Sequence, residues 1–354
     1  MREYNNDNIQ LKYFNEVSFA FNPIPIIIEN TSLDNISVEV YIGGNKIGIL
    51  KREKSKEGQI YFDLSSIIQS AIYPEHSIMY NIDIQGSKLC RAASVRLLSN
   101  DSLINTFYTD VIWGALQIGE TFKQSKTRTW FKNYPFTVGA YTGQSVSVLT
   151  RYDNEKYSDY ERDTEMGTIT IFNPSEMFPA AVNKAAIKIM NSDNINAFDY
   201  TFDDTFRADP NNVILKLNIS EKKGGIYLRW IDIHGDYCYY LFCTTSENLE
   251  VKNEGSEISP FFDSIEIDNN YHPGNLSIQT KTVQKKITLY ERFVDKETFD
   301  FLSGVISSPV VDMYIGNDTF IGVNISDGTV NKKDSHLQDF SCTLEYPQNY
   351  NQVL

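Results

Sequence analysis

The sequence predicts an all-β protein, mainly antiparallel β-sandwich domains with two short helices, and three observations carry that prediction. The stretch Gly224–Cys243, GGIYLRWIDIHGDYCYYLFC, reads as a β-hairpin. Tyr227, Arg229, Ile231 and Ile233 fall on one face, Ile226, Leu228, Trp230 and Asp232 on the other, and His234-Gly235-Asp236 turns the chain back into Tyr237–Phe242. Secondly, strand-sized alternating runs recur along the chain, separated by Gly, Pro, Asn and Asp clusters, while helical spacing shows in only two places. Thirdly, 13% of the residues are aromatic, with 22 Tyr and 21 Phe, which suits half-buried strands and interfaces.

At 354 residues the chain exceeds what one hydrophobic core usually supports. Three β domains are expected, at 1–112, 113–222 and 223–354, the last holding the hairpin 226–242 and a helix at 296–307. In the first, Pro23 and Pro25 mark an edge or entry strand, ISVEVYI at Ile36–Ile42 alternates cleanly, and Gly43-Gly44-Asn45-Lys46 turns into a return strand. Lys51–Glu57 reads as a charged loop. Leu64, Ile67, Ile68, Ala71 and Ile72 have helical spacing, ended by Pro74. Strands follow at Ser77–Ile84, Ala92–Leu98 and Thr106–Ile112.

The middle region is less regular. Strands are expected at Phe136–Tyr141, Ser145–Leu149, Thr168–Phe172, Ala185–Met190 and Val213–Ile219, with Asn196–Asp209 alternating aromatic against acidic residues. Beyond Cys243 a polar stretch to about Ser259 reads as an exposed loop. Gln279–Leu289 is a strand. In the second helix Asp295 caps the N-terminus and Phe299, Leu302 and Ile306 make the buried stripe. Strands at Val310–Ile315, Phe320–Ile325 and Phe340–Tyr346 close the chain.

Charge and cysteine usage narrow the function classes. The net charge of -14 opposes binding to a phosphate backbone, so nucleic acid is not the expected partner. No run approaches the roughly 18 apolar residues of a membrane helix. The start, MREYNNDNIQ, lacks the basic-then-apolar pattern of a secretion signal, so synthesis and folding in a cytoplasm are expected. Cys90, Cys238, Cys243 and Cys342 are too few and scattered for a disulfide scaffold, and Cys238 and Cys243, pointing to opposite faces of one strand, cannot bridge. With four His there is no zinc spacing.

Candidate chemistry is sparse. A glycosidase needs two carboxylates at a defined separation, and 46 Asp and Glu single out no pair. Asp199, Asp203 and Asp204 could cup a calcium ion but lack an EF-hand spacing, and His234 and His272 read as loop residues. Lys123, Lys126, Arg128 and Lys132, interleaved with Phe122, Trp130 and Phe131, form a basic aromatic stretch. In an acidic chain it reads as a subunit contact facing acidic loops such as Tyr152–Glu165 of a neighbour. The candidate interface is therefore Lys123, Lys126, Arg128 and Trp130 together with Tyr237, Tyr239 and Tyr240 of the hairpin.

Several phrases resemble a family of uncharacterised virion proteins from tail gene clusters of Bacteroidetes phages and prophages. They are Phe21-Asn-Pro-Ile, Val38-Glu-Val-Tyr-Ile-Gly-Gly-Asn-Lys-Ile-Gly, Tyr61-Phe-Asp-Leu with Ile67-Ile-Gln, Tyr227-Leu-Arg-Trp-Ile-Asp, Gly235-Asp-Tyr, Tyr240-Leu-Phe, Ser308-Pro-Val-Val-Asp-Met-Tyr and Phe320-Ile-Gly-Val-Asn-Ile. His234-Gly235-Asp236 stands where that family often has paired glycines. The resemblance implies a non-enzymatic structural subunit of a phage tail or tail tip, located in the virion, with no cofactor and no catalytic residue to carry over. Its partners would be other virion proteins and copies of itself. The rival readings are a glycan-binding or host-attachment module, with Trp113 and Trp130 in a shallow groove, and a glycoside hydrolase.

Overall fold

The computed structural model describes all residues except 34, 54–58, 73–77, 143–145, 154, 161–166, 192–211, 259–276, 327–331, 333–335, 347–349 and 354. The expected strand at Asn196–Asp209 thus lies outside the described residues. The chain is all-β and divides into two compact units, Met1–Lys223 with Arg229–Tyr240, and Gly224–Leu228 with Leu241–Leu354.

The first unit begins with β1 (Arg2–Asn6), β2 (Ile9–Tyr13), β3 (Val17–Phe19), β4 (Pro25–Thr31), β5 (Ile36–Ile42), β6 (Asn45–Arg52), β7 (Ile60–Asp63), helix α1 (Ser65–Gln69), β8 (Ile84–Ser87), β9 (Cys90–Ser99) and β10 (Ser102–Ile112). Two sheets, ordered β1-β2-β4-β7 and β3-β10-β9-β5-β6, make a sandwich. Alternation supplies its core: Leu11, Ile26, Ile28 and Phe62 from the first sheet, Val38, Val40, Val95 and Leu97 from the second, all buried. Tyr4 and Tyr13 close on Phe107, with ring centroids 5.7 and 4.4 Å apart. Pro25 opens β4, where a missing N–H is tolerated, but β4 lies between β2 and β7 rather than at an edge. The strand expected at Ser77–Ile84 instead begins at Ile84. It pairs with β15, described next, so residues from the first region complete a sheet of the second.

That second part of the unit comprises β11 (Lys126–Phe131), β12 (Val138–Thr142), β13 (Val146–Tyr152), β14 (Glu155–Tyr160), β15 (Thr168–Phe172), α2 (Pro174–Met177), β16 (Lys184–Asn191) and β17 (Asn212–Ser220). Its sheets are ordered β11-β17-β16-β13-β14 and β12-β15-β8. The basic stretch is strand β11, parallel to β17. Helix α2, a third short helix, starts where Asn173 accepts from the Ser175 N–H and Pro174 needs no N–H partner.

The remaining elements are β18 (Ile226–Ile231), β19 (Tyr237–Phe242), β20 (Thr244–Ile258), β21 (Ser277–Asp295), α3 (Lys296–Ser307), β22 (Val311–Gly316), β23 (Thr319–Gly322), β24 (Asn324–Ile325), β25 (Leu337–Glu345) and β26 (Tyr350–Val353). They form sheets ordered β19-β18-β22-β23 and β20-β21-β25-β24, and β26 pairs with β21. In the second unit Asp295 caps α3 by accepting from the Thr298 N–H at 2.7 Å. The buried stripe of α3 is Phe299, Leu302 and Val305 rather than Ile306, and Phe340 packs between Phe299 and Phe242. The polar stretch after Cys243 is not a loop. As β20 it pairs with β21 from Thr244 opposite Tyr290 to Ile258 opposite Ser277. The described side chains of β20 are exposed on both faces apart from the partly covered Glu250. Only Leu249 and Val251 are apolar on one face, too short a run to betray a strand, and backbone pairing with cross-strand ion pairs holds it instead.

Candidate functional site

The hairpin tip gathers several charged side chains of the first unit. Asp232 closes the turn by accepting from the backbone N–H groups of His234 and Asp236, each at 2.9 Å. Gly235 sits at φ +76°, and a Cβ there would lie 2.7 Å from Ile112 Cγ2, so the turn both needs and hides a glycine. The tip lies against the chain after β10, where the Ala115 N–H donates to the Ile233 carbonyl at 2.7 Å.

Strand β11 delivers the opposite charges. Lys126 forms an ion pair with Asp236, their side chains only 15% and 5% exposed, and Arg128 Nη2 lies 3.8 Å from Asp232 Oδ2. Burial pushes the Asp236 carboxyl above its ordinary value, with Lys126 pulling the other way. Cys238 donates to Asp232 Oδ2 at 3.7 Å, and burial, then the Asp232 charge, push its thiol up. A thiol so held stays protonated at neutral pH and makes a poor nucleophile. His234 Nε2 lies 3.0 Å from Glu120 Oε1, with the Phe19 and Phe122 rings around its imidazole.

Two further networks flank the tip. Arg229 Nη1 donates to the Tyr80 hydroxyl at 3.0 Å. That hydroxyl lies 3.3 Å from the Tyr239 hydroxyl, which in turn lies 2.7 Å from Thr137 Oγ1. Burial drives the Tyr239 phenol well above its ordinary value. On the other side, the Tyr141 hydroxyl donates to Asp110 Oδ2 at 2.6 Å, and the Cys90 thiol donates to the Gly167 carbonyl at 3.4 Å. These contacts tie β9 and β10 to β12 and the start of β15. Chemically, the three networks hold charge and hydroxyls in place inside the first unit.

The candidate interface residues divide accordingly. Lys126 and Arg128 do reach the aspartates of the tip, whereas Trp130, Tyr237 and Tyr239 are buried inside the first unit. Those rings are not surface: Tyr80 and Thr137 contact Tyr239, Arg229 lies over Tyr237, and Phe178 packs on Trp130. Reversing the charge of Lys126 would thus disturb the fold and could not report on association. Lys123 is exposed on the loop before β11, and Tyr240 is half-buried with its ring edge-on to Phe131. Trp113 is also buried, against Phe21, so the tryptophan pair expected in a glycan groove is not exposed. Asp199, Asp203, Asp204 and His272 lie outside the described residues. Cys90, Cys238 and Cys342 are buried thiols and Cys243 an exposed one. Among the described residues no group of three or more His, Cys, Asp or Glu is placed to hold a metal ion, and no helix is long and apolar enough to cross a membrane.

Sequence reasoning missed the Lys126–Asp236 pair, whose members are 110 residues apart. The available signal was a lysine and an arginine alternating with threonines on one strand face, matched by two aspartates in a hairpin turn.

The geometry defines a β-sandwich protein of more than one unit. No family model matches the chain, and no curated protein matches it. Among solved structures it is similar to a chimeric titin Z1Z2-Z1Z2 tandem functionalized with a GRGDS peptide, at 11% identity, covering 59% of this chain and 99% of that one, with a TM-score of 0.17. It is also similar to Sidekick-1 immunoglobulin domains 1-4, at 6% identity, covering 79% and 70%, with a TM-score of 0.17. At scores this low nothing about function follows from the likeness.

Proposed function

We propose that this chain is a structural subunit of a bacteriophage virion, in the tail or its tip, that acts by assembly rather than turnover. The single observation that carries the assembly reading is β20, a strand of 15 residues at the end of its sheet, with Leu249 and Val251 exposed at 64% and 54%. A long edge strand carrying apolar side chains into water is a surface suited to being covered by another chain. The phage setting rests on the resemblance of the hairpin and terminal phrases to phage tail-cluster proteins. The polar networks of the first unit support the same reading, since they consume its buried charges internally.

The test is particle composition. Phage particles induced from a host carrying the gene should contain the chain in several copies per particle by quantitative mass spectrometry. The neighbouring genes should encode tail tube, tape-measure or baseplate proteins. Particles that lack the chain while the lysate contains it would end the proposal.

A further inference from the structure

We infer that β20 is a self-complementary edge through which two copies of this chain pair antiparallel about a two-fold axis at Val251. The inference rests on the assembly reading and narrows it to one contact. Pairing with unlike virion proteins would survive its failure.

The argument begins with backbone geometry. β20 ends the order β20-β21-β25-β24, so among the described residues no strand pairs with its outer edge. Residues directly opposite in an antiparallel pair must both turn their N–H and C=O groups toward each other, or both away. Two copies of one strand related by a two-fold axis therefore pair only with the axis through a residue, which then faces itself. The middle residue of Thr244–Ile258 is Val251, so this axis gives the longest overlap. The shift in register between Glu254 and Glu257 interrupts the ladder, leaving Asn248–Glu254 as its regular part.

Charge favours this register over its immediate neighbours. With the axis at Val251, Glu250 stands opposite Lys252 of the second copy, and the pair occurs twice by symmetry. Moving the axis by one residue sets Glu250 against Glu250 or Lys252 against Lys252, which is destabilising. Moving it to Leu249 shortens the overlap and leaves both charges facing uncharged residues. Glu250 and Lys252 already share a face of β20, 3.3 Å apart, with Lys286 of β21 a further 2.8 Å from Glu250. The opposite face carries the exposed Leu249 and Val251, and pairing sets Val251 against Val251 of the second copy with each Leu249 diagonal to it, as one short apolar stripe. The second copy is the occupant that satisfies edge, charges and stripe together.

Sedimentation velocity on the full chain from about 1 to 100 µM tests this. The wild type should be a dimer at the upper end. E250K alone and K252E alone should each weaken self-association at least about tenfold, because each makes both symmetric pairs like-charged. Mixing the two variants should restore the dimer, since every such pair then joins opposite charges. Circular dichroism checks that both variants keep their strands. If either does not, V251K at its exposed position gives an independent reading by placing Lys on Lys at the axis, and it too should be monomeric. A monomeric wild type at about 100 µM would overturn the inference, and would mean that the edge charges keep the strand single. Single variants that dimerise like the wild type, or a mixture that stays monomeric, would overturn it as well.

Discussion

Replacing Lys126 with methionine removes the positive partner of Asp236 while keeping most of the aliphatic bulk of the side chain. Asp236 is 5% exposed, so the carboxylate left behind cannot rehydrate without opening the tip. Breaking a buried pair from one side costs about 3 to 5 kcal/mol. A ceiling follows from the alternative of taking up a proton. From an ordinary carboxyl value of 3.8, neutralising the group at pH 7 costs at most about 4 kcal/mol, at about 1.4 per pH unit. The range for breaking the pair and this ceiling together set the expected loss at pH 7 at about 3 to 4 kcal/mol. The sign with pH follows from linkage. A carboxyl whose folded value is raised contributes its stability fully below the unfolded value and loses it as pH rises through the folded one. The K126M deficit should therefore shrink as pH falls from 7 toward 4, and K126M/D236N should return to within about 1 kcal/mol of the wild type. Urea unfolding followed by tryptophan fluorescence is the assay. Trp113, Trp130 and Trp230 are all buried in the first unit, so their emission reports on that unit. A deficit under about 1 kcal/mol, or one unchanged on acidification, would refute the reasoning that Lys126 serves as counter-charge.

Further outcomes can be measured on the same protein. G235A should destabilise the first unit by about 2 kcal/mol or more in the same urea assay, because left-handed backbone strain adds to a contact at 2.7 Å. Y239F should cost about 1 to 2 kcal/mol there, since the phenol links Tyr80 to Thr137. Thiol titration should find one fast-reacting cysteine in the folded protein, Cys243, and all four after denaturation. Cys90 and Cys238 are buried and raised, and burial holds Cys342 up at about 12. In the second unit, hydrogen bonds from Lys286 hold the carboxyls of Glu250 and Glu345 below their ordinary value of 4.5. Stability from depressed carboxyls is present above that value and lost as pH falls through the folded one. Hydrogen-exchange protection factors along β20 and β21, taken against the intrinsic exchange rate at each pH, should accordingly fall as pH drops below the ordinary carboxyl value of 4.5.

What the sequence revealed depended on whether an element buries one face. The hairpin was legible because Gly235 stands between two runs rich in apolar and aromatic residues, and β5 because Val38 and Val40 alternate with half-buried or small residues. Strands β1 and β20 were not, since REYNN and TTSENLEVK pair through their backbones with mostly exposed side chains. The hairpin aromatics were assigned to an interface because residue type does not record whether the covering strand comes from the same chain. Here it does: Tyr80 and Thr137 reach Tyr239 across 159 and 102 residues. The Lys126–Asp236 pair was missed for a related reason, since its two halves each show in the sequence but no local pattern joins β11 to a turn so far downstream.

The first unit is discontinuous along the chain, because Arg229–Tyr240 belong to it while Gly224–Leu228 do not. A nascent polypeptide released at residue 223 would hold Lys126 and Arg128 with neither aspartate delivered, and Thr137 without its phenol. On the ribosome, maturation of this unit therefore waits until Tyr240 has cleared the exit tunnel. Proteolysis between residues 223 and 229 would separate the termini without freeing an independent fragment, and a shortened gene that keeps the unit whole must run through Tyr240.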